Sequence, residues 1–264
     1  MSKMRHRGTL GQDVQSIIST TTRLSLGRAA LLSVLPAAAL LSGCQAVVTS
    51  ATGSQLRIID ASPDAPGLDM YENSTLIAYN LGFGTITSYI PLDPGTFSIS
   101  ANIAGSKTAL TTAKGTFAAS NQYTVLIGNS AANLQELILK DQAQAAPSGQ
   151  ISLRFIDQAT RIGAIDIYLV PQGQKFTAVT PLITNVAFPM NTGYLNVPTG
   201  TYTLVIVPTG AVPTGTTVAT YTGAQVTYSG GSVTTVVLID QQLVTTPGLQ
   251  VITAPDYVSP TATS

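Results

Sequence analysis

Past residue 54 the apolar positions of this chain recur with a period of two. Ile151, Leu153 and Phe155 alternate with Ser152 and Arg154, Tyr202, Leu204 and Ile206 with Thr203 and Val205, and Tyr123, Val125 and Ile127 with Thr124 and Leu126. In an extended backbone this alternation sends one set of side chains to a buried face and leaves the other nearer solvent, so the runs predict strands. Turn formers punctuate them at Asp93-Pro94-Gly95, Pro198-Thr199-Gly200 and Gly230-Gly231. No amphipathic helical stretch interrupts the pattern. Ala131 to Lys140 has the composition of a short helix, but its counterpart, Leu249 to Ile252, is β-branched and follows Pro247-Gly248, so both segments are predicted as strands.

The strands fall into two copies of one pattern. Leu56-Arg57-Ile58-Ile59-Asp60 matches Leu153-Arg154-Phe155-Ile156-Asp157, and Leu68-Asp69-Met70-Tyr71 matches Ile165-Asp166-Ile167-Tyr168, both at an offset of 97. Asn80-Leu81-Gly82-Phe83, Tyr89 and Gly95-Thr96-Phe97 find partners in Asn185-Val186-Ala187-Phe188, Tyr194 and Gly200-Thr201-Tyr202 at an offset of 105. An insertion between Pro171 and Pro181 accounts for the change. Leu134-Gln135 and Asp141 recur as Leu249-Gln250 and Asp256. Each copy is long enough to be a domain. The expected architecture is all-β: two tandem antiparallel, immunoglobulin-like β-sandwiches over 55–141 and 151–258, a linker at 142–150 too short for free swinging, and a frayed Thr/Ser tail at 259–264. A transmembrane barrel needs aromatic girdles, and 6% aromatic residues with no Trp argue against one.

The first 43 residues read as an address. Lys3, Arg5, Arg7, Arg23 and Arg28 face a single acid, Asp13, and an apolar stretch then runs from Ala29 to Leu41. That stretch is too short to span a bilayer as a helix but has the form of a secretory signal. Leu41-Ser42-Gly43-Cys44 resembles the lipobox of bacterial lipoproteins. The resemblance implies cleavage before Cys44, lipidation of Cys44, a membrane partner reached through its acyl chains, and a stalk over 44–54. Gln45 in place of Asp after the Cys implies the outer membrane of a Gram-negative envelope.

Processing changes the chemistry open to the chain. Removal of residues 1–43 leaves 7 of the 12 bases and 11 of the 12 acids, a net charge of −4, and takes away the only histidine, His6. Cys44 is the only cysteine, so disulfides are excluded. Histidine-based triads, cysteine proteases and the usual His/Cys zinc or copper sites lack their residues. No basic surplus marks a nucleic-acid partner. No cofactor is expected.

Leu56-Arg57-Ile58-Ile59-Asp60-Ala61-Ser62-Pro63-Asp64-Ala65-Pro66 and Leu68-Asp69-Met70-Tyr71, with Phe83-Gly84, Tyr89 and the Pro94 to Phe97 turn, resemble the domain-of-unknown-function 4397 family. The family is common in envelope lipoproteins and secreted proteins and implies placement and fold but no activity. In the second copy Ser62 to Pro66 becomes Ala159-Thr160-Arg161-Ile162-Gly163. Asp60, Asp64 and Asp69 are the only acid cluster. Calcium ligation and a hydrolytic carboxylate pair are the functional readings of it. The recurrence of Arg57, Asp60 and Asp69 as Arg154, Asp157 and Asp166 favours structural ion pairs instead. The repeated aromatics Tyr71/Tyr168, Phe83/Phe188 and Tyr89/Tyr194 are expected to be packing residues, with a sugar-binding surface as the alternative. These readings converge on a non-enzymatic, lipid-anchored envelope protein with a structural or interaction role and an envelope protein or glycan as partner. The alternative is a carbohydrate- or calcium-binding module that uses loops of the first sandwich.

Overall fold

The structure, a computed structural model, describes residues 53–241 and 248–258. The leader, Cys44 and the 259–264 tail lie outside them.

The first copy folds as β1 (Ser54–Asp60), β2 (Leu68–Glu72), β3 (Thr75–Leu81), β4 (Ile90–Leu92), β5 (Gly95–Ile103), β6 (Ala109–Phe117), β7 (Gln122–Gly128) and β8 (Gln135–Lys140). The second repeats the series as β9 (Gln150–Asp157), β10 (Ile165–Pro171), β11 (Ile183–Val186), β12 (Asn191–Pro198), β13 (Gly200–Pro208), β14 (Tyr221–Tyr228), β15 (Val233–Asp240) and β16 (Leu249–Tyr257). Each copy is a sandwich of two four-stranded sheets, ordered β4-β1-β7-β8 over β3-β2-β5-β6 and β12-β9-β15-β16 over β11-β10-β13-β14. Of the segment Ala131 to Lys140, expected as strand throughout, Ala131–Asn133 forms a single 3-10 turn and Gln135–Lys140 a strand, while its counterpart Leu249 to Ile252 lies within the strand Leu249–Tyr257. Pairing is antiparallel except for β1 with β7 and β9 with β15, which run parallel. A parallel pair needs a long crossover, and the strands of the opposite sheet supply it.

Alternation builds the cores as predicted. Leu56 and Ile58 of β1 pack with Met70, Ile99, Val125 and Ile127 between the first two sheets. Phe97 stacks on Phe117 at 4.4 Å, and Tyr123 meets Phe117 edge-on at 5.0 Å. Leu153, Phe155, Ile167, Ile206, Val236 and Leu238 do the same in the second sandwich.

The alternate set is not left to solvent. Ile59 and Leu126 of one sandwich are buried with Ile156, Val237, Ile239 and Ala254 of the other. The sheets containing β1 and β9 therefore lie face to face, and both sandwiches belong to one compact unit. Burial on both faces follows from apolar residues at successive positions, such as Val236 to Ile239.

The two copies differ most at the outer sheets. A tight turn at Asn73-Ser74 joins β2 to β3, whereas residues 172–182 join β10 to β11. The longer connection folds back on the sheet. Phe176 and Val179, with Ala211 and Ala219, pack on Tyr168, Val170, Val205 and Val207.

Candidate functional site

The most concentrated chemistry among the described residues lies between the sandwiches. On β1 and β9, Arg57 and Arg154 share the face of Ile59 and Ile156 and so point into the interface. Their side chains are 3% and 2% exposed, and those of Asp141 and Asp256 are 0% exposed. Arg57 Nη2 lies 2.5 Å from Asp256 Oδ1, and Arg154 Nη2 lies 2.6 Å from Asp141 Oδ1. Each arginine thus pairs with a carboxylate of the other sandwich. Arg57 stands 3.6 Å from Asp141 of its own sandwich, a longer contact.

The remaining contacts repeat the same symmetry. Arg57 donates from Nε and Nη2 to Thr124 Oγ1 at 3.2 and 2.8 Å, and Arg154 donates to Thr235 Oγ1 at 3.0 and 2.7 Å. The Nη1 groups reach across to the carbonyls of Pro255 (3.0 Å) and Lys140 (3.3 Å). Thr124 and Tyr89 hydroxyls donate to Asp141 Oδ2 at 2.6 and 2.8 Å, and Thr235 and Tyr194 hydroxyls donate to Asp256 Oδ2 at 2.7 and 2.8 Å. Each guanidinium also lies over a tyrosine ring, Arg57 over Tyr89 at 4.9 Å and Arg154 over Tyr194 at 4.7 Å. The two halves are related by a pseudo-twofold axis, and every charge in the set is matched and hydrogen-bonded. Burial, reinforced by the adjacent Asp141, pushes the Tyr89 hydroxyl far above the usual phenol range. Burial and Asp256 do the same to Tyr194. Both hydroxyls stay protonated and donate to the carboxylates, and that of Tyr194 also accepts the Gln142 N–H at 3.1 Å.

The recurring carboxylates have other work than the ion pairs expected of them. Arg57 and Arg154 do form buried ion pairs, but not with Asp60, Asp69, Asp157 or Asp166. Alternation is the reason: Asp60 lies three residues from Arg57, on the opposite face of β1, and Asp69 belongs to the other sheet. Asp60 Oδ1 accepts the Ser62 N–H at 3.0 Å, and Asp157 Oδ1 accepts that of Ala159 at 2.9 Å. The second oxygen of each is buried without a partner. Burial pushes Asp60 up to about 7 and Asp157 up to about 6.

Asp69 accepts the N–H groups of Asn80 and Gly105, both at 2.8 Å, and Asp166 accepts those of Asn185 at 2.9 Å and Gly210 at 3.0 Å. All four of these donor residues have positive φ, from 49° to 80°. Each aspartate thus staples a strand irregularity to the turn of a neighbouring hairpin. Asp64 accepts the Ala131 N–H at 2.8 Å. Where the second copy has Arg161, Asp240 replaces this bond by accepting the backbone N–H groups of Thr160 and Arg161 at 2.9 and 3.2 Å. The loop after the first strand is therefore fastened in both copies, with the carboxylate on opposite sides.

Among the described residues no group of three or more His, Cys, Asp or Glu side chains is placed to hold a metal ion. The calcium candidates Asp60, Asp64 and Asp69 each serve backbone N–H groups in different places. Glu136, absent from the sequence-based candidates, spans the first sandwich: its oxygens accept the N–H groups of Ala101 and Ala113, each at 3.2 Å, and burial raises it to about 7. Asp141 and Asp256 were visible only as a repeated pair. Of the repeated aromatics, Tyr89 and Tyr194 complete the network and Phe83 packs beside it.

Comparison with protein families gives one match, the family described as Domain of unknown function (DUF4397), over residues 54–168 and 173–264. Curated proteins give no match. Among solved structures, the chain is similar to the CBMbc module (family CBM26) of Eubacterium rectale Amy13K, crystallised in complex with maltoheptaose. Identity is 11% and the TM-score 0.20, over 75% of this chain and 96% of that one, a likeness too slight to carry a functional argument.

Proposed function

The chain belongs to the DUF4397 family, and from that premise we propose that it is a lipid-anchored, non-enzymatic protein of the cell envelope that presents two sandwiches as one rigid body. The observation that carries this reading is the closed network between the sandwiches. Its arginines pair with carboxylates of the opposite copy and its hydroxyls hold those carboxylates in place, so every group is engaged within the network, which leaves no free nucleophile or base there for chemistry. Leu41-Ser42-Gly43-Cys44 supports the anchor, and Gln45 supports the outer membrane. Two or more acyl chains on Cys44 give stable attachment where one alone is marginal.

The test is fractionation and protease shaving of intact cells carrying wild-type protein or Cys44→Ser. Wild-type protein is expected in the membrane fraction and Cys44→Ser in the soluble fraction. Unchanged membrane association of Cys44→Ser would refute the anchor. Cleavage in whole cells assigns the protein to the outer surface, and protection until the outer membrane is opened assigns it to the periplasm.

A further inference from the structure

The outer face of the sheet β3-β2-β5-β6 differs from its counterpart in the second sandwich in both cover and chemistry. Tyr71 and Tyr168 occupy equivalent positions on β2 and β10. Tyr168 is 3% exposed, with Phe176 of the 172–182 connection edge-on against its ring at 4.8 Å. The floor around it is apolar: Val205 pairs with Tyr168, and Val207 pairs with Asp166. In the first sandwich the short Asn73-Ser74 turn supplies no such cover. Ser100 pairs with Tyr71, and Asn102 pairs with Asp69, where the second copy has valines.

The first copy thus keeps the ring, loses the segment that sits on it, and changes the floor from valine to hydroxyl and amide. Leu76, paired with Tyr71, is 48% exposed. Tyr79, in the irregular stretch of β3 between the Met70–Ala78 and Leu68–Leu81 pairs, is 76% exposed. Asn102 is only 8% exposed, yet its Oδ1 has no hydrogen-bond partner. A buried amide oxygen without a donor is costly unless something outside the fold supplies one.

We propose that this face binds a neutral oligosaccharide. A sugar ring has weakly polarised C–H faces, which settle on aromatic rings, and a rim of hydroxyls that both donate and accept. Tyr71 and Tyr79 provide the rings. Ser98 and Ser100 provide two-way hydroxyl partners, and the polar Asn102 amide lies beneath them where the second copy has a valine, its Oδ1 buried and unpartnered. The charge on this face argues against an ionic ligand. Both Asp69 oxygens are occupied by backbone N–H groups, and the cation on the face is Lys114 of edge strand β6. An acidic polymer would meet no basic cluster here, and an apolar peptide would meet serines where the second copy offers valines.

The test is an array of neutral oligosaccharides of glucose, galactose, mannose and N-acetylglucosamine, probed with the full mature chain and followed by calorimetric titration of the strongest binder. Binding of at least one member is expected. Its Kd should rise at least tenfold in Tyr71→Ala, in Tyr79→Ala, and in Ser100→Val/Asn102→Val, which gives the first copy the floor of the second. Tyr79→Ala is expected to melt with the wild type, because its ring stands in solvent, so lost binding in that variant cannot be ascribed to misfolding. An array blank for every neutral member overturns the proposal. So does binding that survives all three changes, or binding confined to charged glycans added as controls.

Discussion

Removing one arginine from the interface isolates what the network contributes. Arg57→Met keeps most of the aliphatic stem and deletes the guanidinium. It leaves Asp256, with a side chain 0% exposed, hydrogen-bonded to Tyr194 and Thr235 but without its ion-pair partner, and it frees the carbonyl of Pro255. Breaking one partner out of a buried pair costs about 3–5 kcal/mol, because the remaining charge stays desolvated. For a folded body of roughly this size, about 2–4 °C is lost per kcal/mol, so the melting temperature should fall by about 6–20 °C. Equilibrium urea unfolding of the single variants and of Arg57→Met/Asp256→Asn completes a cycle. The double variant should recover at least about 1 kcal/mol relative to additivity, whereas Arg57→Met with Asp69→Asn should add within about 0.5 kcal/mol. Because the lost contacts join two sandwiches, the single wild-type transition should broaden or split. A cost below about 1 kcal/mol, or strong coupling of Arg57 to Asp69 rather than Asp256, would refute the reasoning.

The raised carboxyls give a pH dependence of definite sign. Asp60, at about 7, holds a proton in the folded chain across a range where the unfolded chain, at about 4, has released it, so its contribution is full below about 4 and is lost as pH rises toward 7. Melting followed from pH 4 to pH 8 should therefore fall less steeply for Asp60→Asn than for the wild type. Asp69→Asn sets an amide donor against the N–H of Asn80 or Gly105 and should cost about 1–3 kcal/mol, with Asp166→Asn doing the same in the second sandwich; thermal denaturation of both variants checks this. A Cβ at Gly128 would clash with the side-chain amide of Gln158 of the other sandwich, which is buried and has little room to yield, so Gly128→Ala should lower the melting point and Gly128→Ala/Gln158→Ala should restore most of it.

The strands, the duplication and the sandwich cores were legible because period two and recurrence are properties of the sequence itself. Leu56 and Ile58 alternate into the core as their pattern requires. The partner of Arg57 was not legible, because it lies 199 residues away on a strand of the other copy. Nearby Asp60 looked like a partner by sequence distance, yet an interval of three places it on the far side of a strand. Two signals pointed to the docked face: successive apolar residues at Ile58-Ile59 and Val236 to Ile239, too continuous for a sheet wet on one side, and the joint recurrence of Tyr89, Asp141 and Arg57. The replacement of Asp64 by Arg161 hid a shared function, since the carboxylate reappears on Asp240, in a different loop.

The pseudo-twofold network also bears on dilution. Each sandwich carries one arginine and one aspartate at the contact, so its docking surface is complementary to its own kind. Between separate chains a contact of this sort is a dimer, and it comes apart as the protein is diluted. Here residues 142–149 join the halves, and a short tether holds them at an effective concentration in the millimolar range. Docking becomes a first-order event, independent of copy number. A protein held sparsely on a membrane would keep both sandwiches engaged as firmly as one crowded there.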